Sequence, residues 1–211
     1  MVSVALNFGF SLAVTDAGMV FSCGYSEDGA LGHGLLESEV LPRRIQALAK
    51  TERRFVAVAA GYHHALALTD TGLVYGWGEG VANGDGQDQH TPQLVAALVG
   101  ERVTLMYAQD HCSCAVTKDG ELYTWGRGGS QLGHGDARMQ PTPPKRVEAL
   151  SHVKVAAVTI CSTHALAANT DGVVWGVEER AAIRLGDAHG PPGNTVVLPT
   201  PIPNIRVRTH P

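Results

Sequence analysis

Cys112 and Cys114, with Cys161 and His164 further along the chain, are side chains whose types could hold a metal ion. Zinc takes four such ligands at about 2.0–2.3 Å in a tetrahedron. The two groups occupy matching stretches of consecutive sequence units, so folding could bring them together. Yet Cys112 and Cys114 lie two apart in an extended run, and period-two alternation points both the same way. Buried apolar thiols are therefore the favoured reading, and no metal or other cofactor is called for. His63, His64, His111 and His164 cluster at the starts of strand-like runs. An imidazole there can act as a base, or tie down a turn by donating a ring N–H to a backbone carbonyl. No Gly-x-Ser-x-Gly elbow supplies a nucleophile for such a base. Gly126-Arg-Gly-Gly129 lacks the Lys-Ser/Thr pair and the following helix of a phosphate loop. The chain is read as non-enzymatic.

The remaining chemistry sits in short loops at 25–29, 79–83, 127–130 and 177–181. They carry Glu27 and Asp28, then Glu79, then Arg127, then Glu178, Glu179 and Arg180. Loops that vary in charge on a rigid scaffold are where binding usually resides, so these are the candidate partner-binding residues.

The scaffold is a repeat. Phe55-Val-Ala-Val-Ala-Ala-Gly61, His64-Ala-Leu-Ala-Leu-Thr69 and Leu73-Val-Tyr-Gly-Trp-Gly78 are three strand-like runs, the last two joined by the turn Asp70-Thr71-Gly72. The same order recurs around turn glycines Gly18, Gly120 and Gly172, each copy ending in a Pro-x-x-Val/Ile tetrad at Pro42, Pro92, Pro144 or Pro199. Strands are predicted at 2–6, 10–15, 19–23, 55–60, 64–69, 73–77, 103–107, 112–117, 121–125, 153–158, 164–168 and 173–175, with one more near each tetrad. In the run 64–69, Ala65 and Ala67 fall on one face and Leu66 and Leu68 on the other. Both faces are apolar, so the sheet must be covered on both sides. A propeller blade between two neighbours meets that condition, with small residues on one face accepting large ones from the next. Trp77, Trp125 and Trp175 would pack between blades. The fourth copy reads as two residues shorter than the others between Gly172 and Gly176. The fold class is all-β: a β-propeller of four-stranded blades with about four repeats, an incomplete or shortened ring. The chain divides as one domain with units 1–50, 51–100, 101–150 and 151–203, and 204–211 opens a fifth.

The stretch from Ala60 to Gly78, with Ala30-Leu-Gly-His-Gly34 and Gln131-Leu-Gly-His-Gly135 in the following loops, resembles the repeat of the regulator of chromosome condensation family. The resemblance implies four-stranded blades, typically seven to a ring. It implies either a protein-binding module, as a scaffold or the substrate-recruiting part of a ubiquitin ligase, or a guanine nucleotide exchange factor for a small GTPase of the Ran type. The sequence departs from the pattern in having four copies, and in Asn83-Gly84-Asp85-Gly86 where Leu-Gly-His-Gly is expected.

Composition narrows the partners. The 211 residues are 44% hydrophobic and 17% charged, with formal net charge -4. The small basic group Lys50, Arg53 and Arg54 suits a solvated loop, and nucleic acid is not expected as a partner. No apolar run approaches the roughly eighteen residues of a membrane helix, so no membrane association is expected. Four unevenly spaced cysteines and the lack of a signal-peptide pattern predict reduced thiols inside the cell, in cytoplasm or nucleus. A protein partner is expected. The open ring should leave apolar end faces, with Val2, Val4, Leu12 and Val14 at one end and Val155, Leu166 and Val174 at the other. Self-association or further blades would cover them.

Overall fold

The computed structural model describes residues 3–80, 86–178 and 196–206. They form four antiparallel four-stranded sheets, each built from one sequence unit in simple up-and-down order. The first holds β1 (Ser3–Leu6), β2 (Phe10–Val14), β3 (Val20–Gly24) and β4 (Glu39–Arg44). The second holds β5 (Phe55–Ala60), β6 (His64–Thr69), β7 (Val74–Gly78) and β8 (Gln89–Leu94). The third holds β9 (Val103–Gln109), β10 (Cys112–Thr117), β11 (Leu122–Gly128) and β12 (Gln140–Arg146). The fourth holds β13 (Val155–Ile160), β14 (His164–Asn169), β15 (Val173–Glu178) and β16 (Val196–Arg206). Every predicted strand is present within a few residues. The sheets stack in sequence order through β1, β5, β9 and β13, and the ring does not close. Among the described residues no helix is long and apolar enough to cross a membrane.

The two apolar faces of each sheet are complementary. Ala65, Ala67, Tyr75 and Trp77 join the core formed with Leu12, Val14 and Val20 of the first sheet. Leu66, Leu68 and Val74 join Ala115 and Trp125 of the third. Cys114, Val116 and Leu122 of the third meet Ala167 and Trp175 of the fourth. A face of alanines and aromatics thus receives a face of Leu, Val and Cys at each junction, so that small residues on one sheet accommodate large ones from the next.

The Pro-x-x-Val/Ile tetrads anchor the outer strands. Ile45, Val95 and Val147 each donate a backbone N–H to the first residue of the preceding strand, at Val20, Val74 and Leu122. Each opens a short helical turn that buries Leu48, Leu98 or Leu150. The prolines lie in β4, β8, β12 and β16, which are edge strands, where a missing N–H costs no ladder bond. The turn glycines serve the other junction. Gly18, Gly72 and Gly120 have positive φ and offer their carbonyls to the N–H of Phe55, Val103 and Val155 in the next sheet.

The register corrects three readings. Ala167 pairs with Trp175 as Ala67 pairs with Tyr75, and Ala165 pairs with Val177 as Ala65 pairs with Trp77. Nothing is deleted from the fourth copy: Trp175 takes the tyrosine position and Val177 the tryptophan position, because strand register is counted from the Gly172 turn and not from the tryptophan. Leu12, Val14 and Val155 do not face the open ends. They lie in the cores between sheets, and the free side of the first sheet carries Val4, Leu6, Ala13 and Phe21 instead. At the other end Leu166 and Val174 form a small cluster with Ala168 and Ile202. Val2 lies outside the described residues. Finally, β16 pairs with β15 as far as Arg206, so the fourth sheet runs past 203, and 207–211 lie outside the described residues.

Candidate functional site

One rim of the stack is built from equivalent turns. These are Asn7–Gly9 between β1 and β2, Gly61–His63 between β5 and β6, Asp110–His111 between β9 and β10, and Cys161–Thr163 between β13 and β14. The turns are bonded to one another across the sheets. Asn7 donates its side-chain amide to the Gly61 carbonyl, Tyr62 N–H donates to the Asp110 carbonyl at 2.6 Å, and Ser162 N–H donates to Asp110 Oδ2 at 2.9 Å. Satisfied backbone groups on successive blades make this rim a rigid surface.

The loops that leave β3, β7 and β11 reach the same rim, because Tyr25, Glu79 and Arg127 donate their N–H groups to the carbonyls of Gly9, His63 and His111. The acidic loop residues then cross to the following sheet. Glu27 and Asp28 each place a carboxylate oxygen 3.6 Å from His63 Nδ1, and Glu79 Oε2 lies 2.6 Å from His111 Nδ1. At the third junction Thr163 stands where the histidines stand, and Arg127, expected in a loop, is an exposed residue of β11 paired with Pro141 of β12. Acid faces histidine at the first two junctions, and Arg127 and Thr163 hold those two positions at the third. The structure therefore brings Glu27, Asp28 and Glu79 onto one face beside Arg127. Glu178 is a backbone member of β15, and Glu179 and Arg180 lie outside the described residues.

Aromatic side chains that the loop charges did not reveal stand among them. Phe8 is 90% exposed and Tyr25 68% exposed, and Tyr62 is also exposed. Phe8 and Tyr62 hold the same position in consecutive turns, and their rings stack with centroids 6.2 Å apart at 14°. The Tyr62 ring stands nearly perpendicular to that of His63, with centroids 4.4 Å apart, and its centroid lies 6.0 Å from that of His111. A groove of about 480 Å³ opens here, lined by Phe8, Phe10, Tyr25, Glu27, Tyr62 and His63. The sequence signal was a large aromatic at matching turn positions, where turn chemistry favours Gly, Asn or Asp.

His64, His33 and His134 have structural roles. His64 is fully buried, and its Nε2 lies 2.7 Å from Ser113 Oγ of the third sheet. It grips a hydroxyl of the next blade, not the backbone carbonyl expected of it. Burial pushes its pKa down to about 3, so it stays neutral there. The Leu-Gly-His-Gly loops share another device. Ser22 Oγ donates to the Leu31 carbonyl at 2.7 Å and accepts from His33 Nε2 at 3.0 Å. Thr124 Oγ1 does the same with Leu132 at 2.6 Å and His134 at 2.9 Å. A hydroxyl has one proton, so the imidazole is the donor, and burial lowers the pKa of both rings. In the second sheet Gly76 replaces the hydroxyl, in the one of these three units where the loop motif is also missing.

Cys112 and Cys114 both point into the core shared with the fourth sheet, and burial raises the pKa of the Cys114 thiol. Cys161 Sγ lies 3.1 Å from His164 Nδ1. Among the described residues no three His, Cys, Asp or Glu side chains gather as metal ligands would.

A family model described as the regulator of chromosome condensation (RCC1) repeat matches residues 17–68 and 119–168, and a second of the same description matches 55–87. The E3 ubiquitin-protein ligase HERC2 of Homo sapiens is 34% identical over 187 residues, covering 85% of this chain and 4% of that protein. The ultraviolet-B receptor UVR8 of Arabidopsis thaliana is 35% identical over 179 residues, covering 82% of this chain and 40% of the receptor. The secretion-regulating guanine nucleotide exchange factor of Mus musculus is 36% identical over 192 residues, with coverage of 82% and 40%. Among solved structures, human WBSCR16 superposes with TM-score 0.77 at 19% identity, over 94% of this chain and 52% of that one. Yeast RCC1 (Prp20), in its complex with Kap60, gives 0.72 at 23% identity, over 95% and 48%. The chain thus spans 40% or less of these sequence relatives and about half of the solved propellers.

Proposed function

Because the chain belongs to the regulator of chromosome condensation (RCC1) repeat family, we propose that it is a non-catalytic protein-binding module, a scaffold or the substrate-recruiting part of a ubiquitin ligase. The observation that carries this reading is the rigid rim bearing Phe8, Tyr25 and Tyr62 beside Glu27, Asp28, Glu79 and Arg127. Exposed aromatics with fixed backbones lose little entropy on contact and dominate interface energetics. Similarity to HERC2, a ubiquitin ligase, supports the recruiting role. A second reading, nucleotide exchange on a small GTPase of the Ran type, is favoured by the 36% identity to the secretion-regulating exchange factor. Exchange of this kind needs only binding energy that favours the nucleotide-free GTPase.

The test is to identify partners by proximity labelling, purify them, and measure dissociation constants for the unaltered chain and for Phe8→Ala and Tyr62→Ala. Each substitution is expected to weaken binding about tenfold, as loss of an interface aromatic does, with melting temperature unchanged. Partners indifferent to both substitutions would remove the rim from the interface. Release of labelled GDP from a panel of small GTPases separates the two readings: acceleration assigns exchange, and binding without acceleration assigns the module.

The free side of the first sheet supports a further expectation. Val4 is 65% exposed and Leu6 74%, on the face that in the second sheet receives the Leu and Val face of its neighbour. The fitting occupant is a blade of the same kind, which for the isolated 211-residue chain means a second copy. Sedimentation at micromolar concentration is expected to show self-association that Leu6→Lys abolishes. A monodisperse monomer that binds no apolar dye would refute it.

A further inference from the structure

On the premise that the rim binds protein, we infer that the groove between the first and second sheets is a pocket for a partner's arginine side chain. Its walls are the exposed rings of Phe8, Tyr25 and Tyr62. The faces of such rings carry negative potential and attract a cation within about 6 Å. Its rim carries Glu27, whose carboxylate is largely exposed, with Asp28 beside it. Both lie 3.6 Å from His63 Nδ1, too far for a strong hydrogen bond, so their acceptor capacity is available to a ligand. No lysine or arginine lines the groove.

Three classes of side chain compete for such a place. An acidic one would meet Glu27 and the negative ring faces. An apolar one would fill the volume but strip water from Glu27 without pairing it. A cation satisfies the carboxylate and the rings together. Arginine fits better than lysine, because its planar guanidinium stacks on aromatic faces while its edge donates in a fork to a carboxylate. The most exposed rings of the groove, Phe8 at 90% and Tyr25 at 68%, offer surfaces of that kind.

The probe is N-acetyl-arginine-N′-methylamide, titrated into the isotope-labelled full chain, with the citrulline analogue as its neutral isostere. Saturable amide shifts at Phe8, Tyr25 and Tyr62 are expected, with the citrulline analogue about fivefold weaker. Tyr62→Ala and the isosteric Glu27→Gln should each weaken the arginine probe about three- to fivefold without changing the melting temperature. Equal binding of citrulline would make this an apolar groove and overturn the assignment, as would shifts confined to other residues or no effect of Glu27→Gln. If the arginine probe fails while a protein partner still loses affinity on Phe8→Ala, the cation assignment falls and the protein-binding reading stands. If both fail, both fall.

Discussion

Leu66→Asp is expected to unfold the second sheet and uncouple it from the third. Leu66 has no exposed surface and sits in the core with Leu68, Val74, Val103, Ala115 and Trp125. A carboxylate there has no cation to pair with among those residues. Either it stays charged in an apolar medium or it takes up a proton, and both routes cost free energy. The loss should be about 4 kcal/mol or more, lowering the melting temperature by roughly 10 °C in a chain of this size. Val40→Asp is the control, because the same carboxylate placed on an exposed position of the edge strand β4, where Val40 is 93% exposed, should cost little. Thermal unfolding followed by circular dichroism reads both. Equal melting temperatures for Leu66→Asp and the unaltered chain would mean that β6 is not enclosed between two sheets.

Gly78→Ala is expected to cost about 3 kcal/mol, from positive-φ strain and steric overlap acting together. Gly78 ends β7 at φ +95°, and a Cβ there would stand 2.2 Å from the His63 carbonyl oxygen. That atom is backbone, held by the Glu79 N–H, and cannot swing aside. Gly24 and Gly126 repeat the contact with the carbonyls of Gly9 and His111. The glycine after the tryptophan or cysteine is therefore required by the turn it touches. Gly100→Ala separates the two causes. Gly100 has φ +100° but open space around it, so its cost should be only the conformational one, about 1 kcal/mol. Because Gly78 supports the turn bearing Tyr62 and His63, the same variant should lose partner binding at temperatures where it remains folded. Equal costs at Gly78 and Gly100 would mean that the turn can shift away.

Strand positions, turn glycines and the two-sided apolar character of β6 were all legible in the sequence. They depend on alternation and turn chemistry, which act over a few residues. The same local logic foretold that alanine and leucine faces would interlock. It could not tell which face each blade turns to which neighbour. Leu12 and Val14 were therefore misplaced at the open end, although they pack toward the second sheet. It also miscounted the fourth copy, because a tryptophan at the tyrosine position of the repeat mimics a deletion until the register from Gly172 is seen.

For the rim, the sequence by itself determined that Glu27, Asp28, Glu79 and Arg127 leave strands at equivalent points. Only the tertiary structure decided that the acids reach His63 and His111 of the next sheet, and that Phe8 stacks on Tyr62. These partners belong to different blades, and the spacing between them is set by how the sheets stack. No periodicity within one strand carries that information. The repeat specifies the blade, and the packing of blade on blade assembles the site.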